Sequence, residues 1–282
     1  MLRPSSRTEM LAAMNGARAV TFSAFALPPG AVLRELLEAA RRGAHVTVRL
    51  NGCFDHGGAA VMGTQNRSAV RMLRRLGADA RLVHTRDSDG PTMHLKAAVC
   101  DKVAFLDDRN WIAGEDNIVL RDDSPRDVAA IRTAACGGVP CGAARPALNK
   151  YDALRLETAV VSALPGDHIE VATETIASGS LVYGALKAAA SRHPKLLIST
   201  YGLRGKEGID ARRLSSYGVQ VRVSRSCEKF ALNGNRGWIG SANATTPHLN
   251  NSTDWGACTR SRVLVQTLRS RFAAEWKHAR PL

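Results

Sequence analysis

Two halves of this 282-residue chain run through the same order of elements, and a chain that duplicates itself is expected to fold as two similar lobes. In the first half, "RAVTFSAF" (18–25) is a β-type run. "AVLRELLEAARRGA" then carries apolar residues at helical spacing after Pro28, Pro29 and Gly30, and "HVTVRL" alternates apolar and polar residues as a strand does. "NGCFDHGGAAVMGTQN" reads as a glycine-rich loop, "RSAVRMLRRLGA" as a helix ended by Gly77, and "ARLVH" as a strand. In the second half, "HIEVATETIASGSLVYGALKAAASRHPKLLISTYG" gives strand, helix, strand, and "GIDARRLSSYGVQVRVSRSCEKFAL" gives helix, glycine, strand. Such alternation predicts an α/β fold of two duplicated lobes, each a mixed β-sheet flanked by helices. The stretch "ACGGVPCGAARPALNK", rich in Gly, Ala and Pro, separates them. The expected domains are therefore 1–135 and 151–282, joined by a linker over 136–150.

The duplication extends to single residues. From His94 the landmarks are Lys96, Asp101, Asp107, Asp108, Asn110 and Trp111. The same offsets from Cys227 give Lys229, Gly234, Gly240, Ser241, Asn243 and Ala244. In "MHLKAAVCD" two polar side chains stand two positions apart at the head of an apolar run. On a strand, residues i and i+2 share a face, so His94 and Lys96 are expected side by side while Leu95 faces the core. A phosphodiester repels an incoming nucleophile with its own charge. A site that attacks it needs a cation near the nonbridging oxygens and a nucleophile for phosphorus; Lys96 supplies the first and His94 the second, through a covalent phosphohistidine that water resolves. No divalent metal or other cofactor is then expected. The acidic pairs Asp107–Asp108 and Asp122–Asp123 read as solvated turns, because adjacent carboxylates on an extended chain point to opposite faces.

"HLKAAVCD" fits an H-x-K-x4-D motif and "GSAN" (240–243) fits the G-S-x-N element that follows it, so the chain resembles the phospholipase D superfamily over 18–276. That resemblance implies two H-x-K motifs meeting between the lobes, one histidine attacking and the other protonating the leaving oxygen. Carried over by position, it implies His94, Lys96 and Asp101 as catalytic residues, with Asp101 an orienting acid. Asn110, Lys229, Ser241 and Asn243 are implied to bind phosphate. Asp116 and Asp254 stand where relatives keep acids that steady the histidines. Two departures matter: Cys227 replaces the second histidine and Gly234 the second aspartate, while Asp107–Asp108 replaces Gly-Ser in the first half. Cys227, His56 and His248 are the candidates for the proton donor, a thiol having an ordinary pKa of about 8.5. As a packing residue, Cys227 reads as a small semi-buried filler.

Charge narrows the partner. The balance of 39 Lys+Arg against 25 Asp+Glu, a formal net charge of +14, favours polyanions over neutral metabolites. The basic clusters "RRLGADAR" and "ARRL" read as solvated helix faces, and Trp111, Trp238, Trp255 and Trp276 as core. The six cysteines show no CxxC pair, which fits reduced thiols, and "CGGVPC" alone makes a weak zinc site. No signal-peptide h-region and no membrane-crossing run occur, so the expected location is cytoplasmic. The chemistry and charge together predict a metal-independent nuclease acting as monomer or homodimer. Two other readings stay open: a phospholipase D-type hydrolase or transferase acting on anionic phospholipid headgroups, and a weakened nucleic-acid-binding module.

Overall fold

The computed structural model describes residues 2–54, 60–83, 92–111, 118–140, 144–164, 168–203, 205–246 and 252–282. The first half forms β1 (Arg3–Ser5), α1 (Arg7–Gly16), β2 (Ala19–Ala24), α2 (Ala31–Arg41), β3 (His45–Asn51), α3 (Ala60–Arg75) and β4 (Asp79–Val83). It continues through β5 (Thr92–Met93), β6 (Ala97–Cys100), β7 (Val103–Asp107), β8 (Val119–Asp122) and α4 (Pro125–Ala135). The second half forms α5 (Lys150–Val161), β9 (Ile169–Thr173), α6 (Leu181–Ala188), β10 (Lys195–Ser199), α7 (Gly205–Ser216), β11 (Gln220–Ser224), β12 (Phe230–Asn233) and β13 (Arg236–Gly240). It closes with β14 (Ser252–Thr253), β15 (Gly256–Thr259), α8 (Arg262–His278) and β16 (Arg280–Pro281).

Residues 1–148 with 250–254 make one compact unit, and 149–249 with 255–282 make another. Unit 1 is thus not contiguous: a few residues of the second half add β14 beside β5, with Ser252 opposite Thr92 and Thr253 opposite Met93. Each unit holds a seven-stranded mixed sheet, in the orders β1-β8-β7-β6-β2-β3-β4 and β15-β13-β12-β9-β10-β11-β16. Six strands correspond one for one; the seventh is β1, against β8, in unit 1 and β16, against β11, in unit 2. The duplicated α/β architecture agrees with the alternation read from the sequence.

Local sequence explains the elements. Ser6 caps α1 by accepting from the Glu9 amide, and Asn149 caps α5 by accepting from Asp152. In α2, Val32, Leu33, Leu36, Ala39 and Ala40 are buried, a helical stripe facing the sheet. β2 and β3 run parallel in the middle of their sheet, so even Thr47 and Arg49 on the alternating "HVTVRL" are buried, Arg49 reaching Asp79 at 2.7 Å. The glycine-rich stretch departs from expectation: α3 begins at Ala60, so residues as far as Asn66 are helix rather than loop. Gly63 and the β-branched residues there weaken helix propensity, but packing of Asn66, Ala69, Val70 and Leu73 overrides it.

Candidate active site

In unit 1, β6 runs antiparallel to β2 and β2 parallel to β3. The amino end of β6 therefore lies beside the carboxyl ends of β2 and β3, the end of an open α/β sheet where ligands bind. His94, Leu95 and Lys96 precede β6 there, in a connection rather than inside a strand, and hydrogen bonds hold both ends of it. The His94 amide donates to the Thr253 carbonyl at 3.1 Å, and the Asp107 amide donates to the Lys96 carbonyl at 3.0 Å.

The side chains do not share a wet face as the strand pattern predicted. His94 is 19 % exposed whereas Lys96 is only 1 % exposed, as buried as Leu95. His94 Nδ1 lies 2.6 Å from Asp254 Oδ1, and its ring meets Phe25 edge-on at 5.4 Å. Ser252 donates to Asp254 Oδ2 at 2.5 Å. Burial by itself would raise the Asp254 carboxyl, but His94, Lys96 and Ser252 outweigh it and hold it well below the usual carboxylate range. An ionised carboxylate on Nδ1 keeps the proton there in the neutral imidazole, so that Nε2 is the nitrogen that carries the lone pair.

Further residues that sequence reasoning missed hold this geometry. Asn51, at the end of β3, accepts from the Met93 amide at 3.2 Å. Asn66 of α3 donates to the carbonyls of Phe25 and Asn51, each at 2.9 Å, and accepts from Leu27 at the same distance. Nothing in the spacing around His94 pointed to either asparagine, and the sequence placed Asn66 in a loop rather than in the helix that buries it.

Asp101 and Asn110, the other expected site residues of unit 1, fall at opposite ends of its sheet. Asp101 sits in the β6–β7 turn with φ 49°, exposed, and accepts from the amides of Arg18 and Ala19 at 3.2 and 2.9 Å. It is at the far end of β6 from Lys96, on the order of 17 Å along an extended chain. Asn110 lies at the working end, its Oδ1 3.4 Å from the Ala26 amide. Asp107, Asp108 and Asp122 are not solvated: each is at most 1 % exposed. They accept from the amides of Trp111, Ile118 and Ser124 respectively, holding the turns that carry Asn110 and flank β8. Burial, with Asp108 beside it, pushes the Asp107 carboxyl up to about 8.

Unit 2 carries the second half of the expected set. Strand registers pair Ser23 with Ala97 and Arg49 in unit 1, and Ala172 with Phe230 and Leu197 in unit 2. Counting two residues on makes Glu174 the counterpart of Phe25 and Ser199 that of Asn51. Lys229 Nζ lies 3.2 Å from Glu174 Oε2 and donates to the Cys227 carbonyl at 3.0 Å, while Cys227 Sγ meets Ser199 Oγ at 3.4 Å. Ser241 is buried and accepts from the Trp255 amide at 3.1 Å, the same task Asp108 performs in unit 1. The Asn243 side-chain oxygen makes no hydrogen bond among the described residues. His56, His248, Asp116 and Cys141 lie outside the described residues; among the described residues no two cysteines form a disulfide.

Against known structures, the polyphosphate kinase of Porphyromonas gingivalis aligns over 98 % of this chain with a TM-score of 0.67 and 14 % identity. The phosphatidylserine synthase of Haemophilus influenzae aligns over 100 % of this chain and 87 % of its own, with a TM-score of 0.64 and 8 % identity. The chain has the phospholipase D fold. This phospholipase D-fold chain spans only 47 % of the length of the kinase. No protein-family model and no curated protein sequence matches it. Among the described residues, no helix is long and apolar enough to cross a membrane.

Proposed function

We propose that this protein is a phosphodiesterase acting on nucleic acid, with His94 as nucleophile. The observation that carries the reading is the 2.6 Å contact of His94 Nδ1 with the buried Asp254 carboxylate, next to the equally buried Lys96. Nε2 attacks phosphorus, the P–O ester bond breaks, and the departing oxygen takes a proton from solvent. Water then adds to the phosphohistidine, breaking the P–N bond and returning the histidine. Lys96 supplies positive charge for the nonbridging oxygens, so the reaction is metal-independent. Nucleic acid is favoured by the net charge of +14.

Cys227 in the place of a second histidine, and Lys229 occupied by Glu174, support slow turnover at the leaving-group step. General acid assistance is worth about 10²–10⁴-fold, and without it the rate depends steeply on how readily the leaving oxygen departs. The same two features support the alternative of a phosphate-binding module with little turnover.

The test is cleavage of plasmid, single-stranded DNA, RNA and phosphatidylcholine vesicles in excess EDTA, wild type beside His94→Ala. Metal-free cleavage of a nucleic acid that disappears in the variant is the expected result. Cleavage of vesicles alone moves the substrate to lipid, and binding without turnover of any substrate leaves the module reading.

A further inference from the structure

A groove of about 570 Å³ runs along unit 1 between α3 and the edge strand β4, lined by Arg67, Val70, Arg71, Arg74, Arg75 and Leu82, none of them in the His94 site. The four arginines recur at i, i+4, i+7 and i+8, so they form one exposed face of α3 with a rise of about 6 Å between Arg67 and Arg71. α3 contains no acidic residue. Among the described residues, Arg67 and Arg74 bond only to neutral groups, Thr64 Oγ1 at 3.0 Å and the Ala80 carbonyl at 2.6 Å. The nearby acid of β4, Asp79, is already taken by Arg49 at 2.7 Å and Arg81 at 2.9 Å. A row of like charges with no carboxylate on its own helix repels itself, and an anionic ligand relieves that repulsion.

The duplication supplies an internal comparison. The counterpart of α3 in unit 2, α7, carries Glu207 and Asp210 among its basic residues. The counterpart of β4, β11, has its outer edge closed by β16, whereas β4 ends its sheet. Among the described residues, β4 is an edge strand where its counterpart β11 is not, and α3 carries no acid where α7 carries two.

We propose that this groove binds the phosphate backbone of single-stranded nucleic acid, an anchoring site separate from the reacting centre. The inference rests on the nucleic-acid reading of the substrate but not on turnover. The helical rise between successive arginines suits an extended phosphate chain, and Arg matches phosphate geometry through its planar fork. Val70 and Leu82 give the groove an apolar floor for sugar and base faces, which an inorganic phosphate chain would leave unused.

The test measures fluorescence anisotropy of labelled oligothymidylate, about 20 nucleotides and so longer than typical single-strand sites. The protein is the full chain carrying His94→Ala, so cleavage cannot confuse binding. Adding Arg71→Gln and Arg75→Gln should weaken binding about tenfold or more at about 50 mM salt and flatten the log–log salt slope by about 1.4, two contacts at about 0.7 each. Arg71→Lys with Arg75→Lys should retain most of the slope. If the double glutamine variant does not fold, each single change should flatten the slope by about 0.7. Unchanged affinity and slope overturn the proposal, as does arginine-dependent binding of inorganic polyphosphate without arginine-dependent binding of the oligonucleotide. A wild type that cleaves nothing but shows these binding changes leaves the groove standing and removes the nuclease reading.

Discussion

His94 owes its poise to one carboxylate. Asp254→Asn keeps the shape but offers an amide that can satisfy the wrong tautomer, so kcat should fall about 10²–10⁴-fold with little change in KM, measured on a single-stranded oligonucleotide. A purely structural role would instead lower Tm and spare kcat. Asp107 is a different case. Its carboxyl is pushed from an ordinary 3.8 up to about 8, first by burial and then by Asp108, so the folded protein keeps a proton that the unfolded chain gives up. Wild type should therefore lose stability relative to Asp107→Asn as pH climbs from about 4 to about 8, with no further divergence above that, read from denaturant midpoints across the range. Lys96 lowers both carboxyls; what separates them is that Asp254 also has His94 and Ser252 bonded to it, whereas Asp107 has another acid beside it.

Elements, not motifs, decide where the chemistry sits. The H-x-K spacing was legible as a pair of neighbours, but the connection it occupies and the burial of Lys96 follow from β5, β6 and β14 meeting there. Gly240 shows the same thing in reverse. A Cβ added there would lie 2.3 Å from the Trp255 carbonyl oxygen, so close packing of β13 on β15 demands this glycine whether or not phosphate ever approaches it. On α5, Glu157 is 1 % exposed and neither carboxyl oxygen has a hydrogen bond among the described residues. Burial raises its carboxyl well above the usual range. Glu157→Met, which fills similar volume without the desolvated group, should stabilise the protein by about 1–3 kcal/mol. A raised Tm with unchanged secondary structure by circular dichroism is the measurement; a lowered Tm would mean that the acid serves a partner.

For the molecule as a whole, duplication and charge are the governing facts. Twin sheets with matching strand order have diverged at their working ends: His94, Phe25 and Asn51 in one correspond to Cys227, Glu174 and Ser199 in the other. With a net charge of +14, nucleic-acid binding should weaken by orders of magnitude between about 50 and about 200 mM salt, because each neutralised phosphate releases counterions. Hydrolysis of bis(p-nitrophenyl) phosphate, a single small diester with a good leaving group, should change little over the same range. Equal salt sensitivity of both reactions would remove the long-range electrostatic term. The sequence by itself determined the twofold α/β plan, the H-x-K pair and the basic balance, because periodicity, spacing and charge are local or additive quantities. Tertiary structure alone decided that Asp254, which the resemblance placed only among acids that steady histidines, bonds His94 in particular, that Asp107, Asp108 and Asp122 are buried turn-holders, and that α3 presents its arginines beside an edge strand. These depend on which distant segments share a low-dielectric neighbourhood, and no local pattern encodes that.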